Sequence, residues 1–107
     1  MAIDGLLRIE VHQAATPTVV TLAGDLDIAT APALDRALDG VHDHVVVDLT
    51  HVSFLDARGL RVLLQGDDEA RRRGHRLWIT RAREAVHRVF VLTGADRRLR
   101  ILEPVLA

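Results

Sequence analysis

Cysteine, lysine, asparagine and tyrosine are all absent from this 107-residue chain. The lack of Cys removes disulfides, zinc–thiolate sites and thiol catalysis together. The lack of Lys leaves all 14 basic residues as Arg. That excludes a Walker-type phosphate loop, a Schiff-base enzyme and the lysine of a phospho-aspartate receiver. Lys, Asn and Tyr share A/T-rich codons, so the pattern points to a high-GC bacterial genome. Long apolar runs are missing too. The longest is Val89-Phe90-Val91-Leu92, against the roughly 20 residues a membrane helix needs. A basic excess is also absent, since 14 basic and 15 acidic residues give a net charge of -1, which argues against a nucleic-acid binder. The opening Met-Ala-Ile-Asp-Gly carries no basic segment before an apolar one. No secretory signal is expected, and the expected location is the cytoplasm.

What remains is ordinary globular material, 49% hydrophobic and 27% charged, and residues 1–107 are expected to form one domain. From Leu6 to His12, Leu7, Ile9 and Val11 alternate with Arg8, Glu10 and His12, which predicts a half-buried strand. A turn around Pro17 leads to a second strand, Thr18 to Ala23, antiparallel to the first and broken by Gly24. Thr30 N-caps a helix through about Asp39, with Pro32 in its first turn and Gly40 at its end. The β-branched run Val45 to Leu49 predicts a central strand covered on both faces. Asp56 N-caps a second helix to about Arg73, with Leu60, Leu63, Leu64 and Ala70 as its apolar stripe and Gly74 at its C′ position. His75 to Thr80 is a further strand. Val86, Val89, Phe90 and Thr93 mark a third helix stopped by Gly94, and Leu99 to Leu102 a last short strand. The order β-β-α-β-α-β-α-β predicts an α/β fold. Its mixed sheet has four to five strands, mostly parallel with an antiparallel edge, flanked by helices.

Most candidate chemistry dissolves on inspection. His42 and His44 form an H-x-H pair with His51 nearby, but without a third ligand at metal-site spacing they read as surface histidines. No metal or cofactor is expected. Ser53 is the single serine and lies in no G-x-S-x-G elbow. Asp25 and Asp27 follow a strand, where turn formation explains them. In Asp67-Asp68-Glu69-Ala70-Arg71-Arg72-Arg73 the charges pair Asp67 with Arg71, Asp68 with Arg72 and Glu69 with Arg73 at i, i+4, so a solvated helix end is expected there.

One stretch exceeds what packing explains. Val45-Val46-Val47-Asp48-Leu49 runs on through Phe54-Leu55-Asp56-Ala57-Arg58-Gly59-Leu60, preceded by Gly24-Asp25-Leu26-Asp27. Here the chain resembles the STAS domain of bacterial anti-sigma factor antagonists. That family has a Gly-Glu-Leu-Asp loop, a strand ending in Asp-Leu, then Phe-Leu/Ile-Asp-Ser-Ser/Thr-Gly-Leu. Val86-His87-Arg88-Val89-Phe90 and Thr93-Gly94 resemble its third helix. The likeness spans roughly Leu6 to Glu103, and it rests on three motifs in order, not on any single one.

The resemblance implies a small cytoplasmic protein that is not an enzyme. Its partner would be an anti-sigma factor that is also a serine kinase of the histidine-kinase-like ATPase type. Phosphorylation of a Ser or Thr at the start of the second helix would abolish binding. The implied partner-binding residues are Asp25, Asp27, Thr30, Asp56, Ala57, Arg58, Gly59 and Arg61. This chain departs from the family where the switch sits. Arg58 occupies the phosphoacceptor position and Ala57 the neighbouring Ser position, so both hydroxyls are gone. A cation there opposes the helix macrodipole by about 0.3–1 kcal/mol, which pairing with Asp56, Asp25 or Asp27 would offset. Thr30, Thr50 and Ser53 are the substitute phosphosites, with Thr30 expected to be used as a cap and the other two to pack down. The alternative role is a STAS scaffold or sensory subunit of a larger regulatory complex.

Overall fold

A computed structural model describes residues 2–4, by their backbone, and 6–103. The strands are β1 (Ala2–Asp4), β2 (Leu7–His12), β3 (Thr18–Leu26), β4 (Val45–Leu55), β5 (Leu77–Thr80) and β6 (Arg100–Leu102); the helices are α1 (Ala31–Asp39), α2 (Ala57–Arg72) and α3 (Glu84–Thr93). They form one sheet in the order β1-β2-β3-β4-β5-β6. The pairs β1–β2 and β2–β3 are antiparallel and the other three are parallel. The expected α/β class and mixed sheet are therefore present. β1 is an addition: three residues too short to show a pattern cover the edge that β2 was expected to form.

With strand order and sense set, right-handed crossovers place α1, α2 and α3 over the same face of the sheet. Burial agrees: Val20, Leu22, Val45, Val47, Leu49, Leu77 and Ile79 are buried, whereas Val46, Asp48, Trp78 and Thr80 between them are half-buried. The expectation that Val45 to Leu49 is covered on both faces is thus corrected. A β-branched run suits a central strand, but one face of this one stays partly open.

Two further boundaries move. Gly24 does not end β3; the strand runs on to Leu26 with a register shift between Gly24 and Asp25. Gly24 has φ +115°, and a Cβ there would lie 1.8 Å from the Leu6 carbonyl oxygen, so the residue is a bulge and not a stop. β4 continues for 11 residues to Leu55, and its end pairs with the end of β3, Leu26 opposite Leu55.

The helices carry the rest of the core, with Leu34, Leu63 and Phe90 fully enclosed. Asp67 departs from its expected place on a solvated face: it is 1% exposed and ion-pairs with Arg71 at 2.8 Å. Burial pushes its carboxyl up from the ordinary range, against the pull of Arg71. The Glu69–Arg73 pair forms as expected at 3.1 Å. The Asp68–Arg72 pair does not: Arg72 turns to Glu69 at 2.6 Å and Asp68 to Arg98 at 3.3 Å. The i, i+4 pairing gives way here to an i, i+3 partner for Arg72 and a tertiary one for Asp68. Among the described residues no helix is long and apolar enough to cross a membrane.

Candidate functional site

β3 and β4 end side by side, so the chain leaves their C-terminal ends into two neighbouring segments, the β3–α1 turn and the start of α2. Asp56 joins them. Its Oδ1 accepts from the Arg58 and Gly59 amides at 2.9 and 3.0 Å, the N-cap expected of it, and its Oδ2 accepts from the Ile28 amide at 3.0 Å. Its own amide donates to the Leu26 carbonyl at 3.2 Å. One carboxylate thus caps α2 and ties down the turn that precedes α1.

That turn is built by Asp27 and Thr30. Asp27 Oδ1 accepts from the Ala29 and Thr30 amides at 3.0 and 3.1 Å, an Asx-type turn. The Thr30 hydroxyl donates to the Asp25 carbonyl at 2.8 Å and accepts from the Asp27 amide at 2.9 Å. It makes no capping bond to its own helix, because its oxygen is used on the preceding turn. Thr30 is 2% exposed, enclosed by the turn it builds.

Gly59 is buried as well. A Cβ there would lie 2.5 Å from the Leu26 carbonyl oxygen and 2.7 Å from the Leu26 side chain, so the glycine lets α2 start hard against the end of β3. Asp25 is half-buried within β3, not in the loop, and its amide donates to Leu6 at 3.1 Å. Of the eight residues expected to meet a partner, Ala57, Arg58 and Arg61 are exposed, Asp27, Asp25 and Asp56 half-buried, and Thr30 and Gly59 enclosed. Sequence motif and accessible surface are therefore different sets.

The structure adds two residues. Ile28 is 63% exposed and Phe54 51% exposed. Ile28, Pro32, Asp35, Arg58, Arg61 and Val62 line a groove of about 350 Å³ between α1 and α2. The sequence signal for Ile28 was an isolated apolar residue between turn-forming neighbours. Phe54 gave none, since it sits in a run expected to pack down. Thr50 and Ser53 are exposed too, against that expectation. The cause is the irregular end of β4, where Leu49, Val52 and Leu55 are buried and the two residues between each are exposed. The Thr50 hydroxyl donates to Asp48 at 2.6 Å. The Asp48 carboxyl is held below its ordinary range, as hydrogen bonds from Thr50 and Thr80 outweigh the opposing effect of burial.

Arg58 does not ion-pair with Asp25, Asp27 or Asp56, the partners expected to offset its charge. Among the described residues neither Arg58 nor Arg61 has an ion-pair partner. Two unpaired guanidiniums beside exposed apolar side chains make a surface suited to binding another protein.

Removing the Asp56 carboxylate should show what holds this surface together. Asp56→Ala loses an N-cap, about 0.5–2 kcal/mol, and the bond to Ile28, about 0.5–1.5 kcal/mol. Urea unfolding should therefore show a loss of about 1–3.5 kcal/mol, and amide exchange at Ile28 should accelerate while that of Val47 follows only the global change.

The architecture is that of a STAS-type α/β module. The family model described as Mlab, STAS domain matches residues 9–104, and the chain belongs to the STAS domain family. An anti-sigma-B factor antagonist of Listeria monocytogenes is 31% identical over 93 residues, covering 82% of each chain. The anti-sigma-B factor antagonist of Staphylococcus epidermidis is 30% identical over 89 residues, 78% of this chain and 82% of the relative. Among solved structures, an anti-sigma factor antagonist from Mycobacterium paratuberculosis superposes with a TM-score of 0.78 at 29% identity, covering 94% of this chain and 87% of its own. The unphosphorylated anti-sigma factor antagonist SpoIIAA shares the fold, with a TM-score of 0.78 at 15% identity over 92% of this chain and 89% of its own.

Proposed function

We propose that this protein is an anti-sigma factor antagonist, a binding module that regulates transcription by occupying an anti-sigma factor. Its docking surface on this reading is the β3–α1 turn with the first two turns of α2. The observation that carries it is the Asp56 carboxylate, which holds Ile28, Arg58 and Gly59 in one rigid arrangement. The antagonist names of its relatives support the same role. The partner is an anti-sigma factor of the histidine-kinase-like ATPase type. Because Arg58 stands where the family carries its phosphoacceptor, the protein stays competent to bind whatever the kinase activity of that partner.

The test is co-expression with an anti-sigma factor of that type from the same genome. A stoichiometric complex is expected, and Arg58→Glu should weaken it at least tenfold while leaving the melting curve nearly unchanged. That charge change touches no bond within the fold, whereas reversal at Asp27 would break the turn itself. Failure to form a complex, with assembly of the protein alone into large particles, would favour a scaffold role instead. Unchanged affinity in Arg58→Glu would move the docking surface elsewhere.

A further inference from the structure

At the opposite end of β4 from the proposed docking surface, the structure brings His75 to the neighbouring pair Asp43 and His44, a set of side chains able to ligate a metal. His44 lies just before β4 and His75 just before β5. Asp43, His44 and His75 bring one ligand atom each to within 4.8 Å of one another, and all three are half-buried. The H-x-H spacing is a false lead, because His42 is exposed and outside this set. The partner of His44 comes from 31 positions further along the chain, through the parallel pairing that sets Val45 opposite Leu77.

The group is held in place from outside. The Thr16 hydroxyl donates to Asp43 Oδ2 at 2.9 Å and the His44 amide to Asp43 Oδ1 at 2.7 Å. The two rings meet edge to face with centroids 5.4 Å apart. Asp43 and His75 also line a cavity of about 230 Å³ between the helices and the strand starts, shared with Glu69, Arg73 and Leu77. Two imidazoles and a carboxylate, opening on a cavity with room for water, match the three-ligand pattern with an open position that zinc and copper take.

We propose that Asp43, His44 and His75 bind a divalent ion of the zinc–copper class, with its open coordination position facing this cavity. The Arg76 amide donates to His44 Nδ1 at 3.0 Å, so Nδ1 is the ring nitrogen that presents a lone pair. The ion takes that lone pair in place of the Arg76 amide. The displaced bond makes the site weaker than a preformed zinc site, so affinity in the micromolar range is expected.

Trp78 is the only tryptophan, and its ring centroid lies 6.0 Å from that of His44, which supplies a built-in reporter. Cu²⁺ titrated into the full-length protein should quench Trp78 fluorescence saturably at one equivalent, and EDTA should reverse it. His44→Ala and His75→Ala should each weaken binding tenfold or more, at least as much as losing an outer-shell partner, while His42→Ala should leave it unchanged. Zn²⁺ should raise the melting temperature of the wild type and not of His75→Ala, a readout independent of the fluorophore. Non-saturating quenching, or loss of binding in His42→Ala with retention in His75→Ala, would overturn the proposal.

Discussion

Gly24→Ala should be the most destabilising single-methyl change in this protein. The new Cβ would sit 1.8 Å from the Leu6 carbonyl oxygen and 3.0 Å from its carbon, on a backbone at φ +115°. Holding a non-glycine residue in such a region costs about 1–3 kcal/mol, and forcing atoms into occupied space costs about another 1–3 kcal/mol. The expected loss is about 2–6 kcal/mol, set against a total stability of about 5–15 kcal/mol for a domain of this size. Relief by movement is poor because the atom in the way is backbone: Leu6 O also accepts from the Asp25 amide at 3.1 Å. Pushing it aside breaks the bond that starts the last turn of β3. The variant should unfold at a much lower urea midpoint with an unchanged slope. A loss below about 1 kcal/mol would mean that the β2–β3 edge is softer than this geometry implies.

The same residue shows where sequence reasoning succeeds and where it fails. Periodicity identified much of the core because burial depends on a local repeat: Leu7 and Ile9, Leu77 and Ile79, Leu60 and Leu63 are all buried where alternation or helical spacing put them, whereas the alternating burial of Val45 to Leu49 was hidden by its unbroken β-branched run. Gly24 was misread as a stop because a turn and a bulge ask the same thing of the chain, a positive φ. Only the neighbouring strand decides between them. The Asp56 cap was legible in the residues that follow it, but its second bond to Ile28 was not, since that partner lies 28 positions away. Asp67 carried a helix-surface signal and ended buried, because a helix face against neighbouring structure looks the same in sequence as one against water.

At the proposed docking surface, the recognisable motif consists mainly of supports. Gly24 and Gly59 permit close approach of backbones, and Asp27 and Asp56 hold the turn and the helix start. These residues shape the scaffold, whereas Ile28, Phe54, Ala57, Arg58 and Arg61 are the ones exposed on it.

Arg58→Ser should convert this protein from one that takes no phosphate at position 58 into one that does. Position 58 is the second residue of α2, exposed, with its amide donating to Asp56 Oδ1 at 2.9 Å. A serine there needs no backbone change. It also removes a cation from the positive end of the helix dipole, so stability should hold or rise by about 0.3–1 kcal/mol. The dipole would favour a phosphate at this end, although the amide itself is already occupied. The added charge of about -1.5 to -2 replaces a positive one and lies beside the Asp56 carboxylate. The sign of the surface thus reverses without any change of fold, and affinity for the anti-sigma factor should drop. In the wild type, Thr30 is enclosed, which leaves Thr50 and Ser53 as exposed hydroxyls within β4. Both lie in extended backbone, away from any helix N-terminus, and the Thr50 hydroxyl is engaged by Asp48. Intact mass after incubation with ATP and the partner kinase should show one phosphate on Arg58→Ser and none on the wild type. A phosphate on the wild type mapped to Thr50 or Ser53 would show that control had moved along β4 and had not been lost with the hydroxyl at position 58.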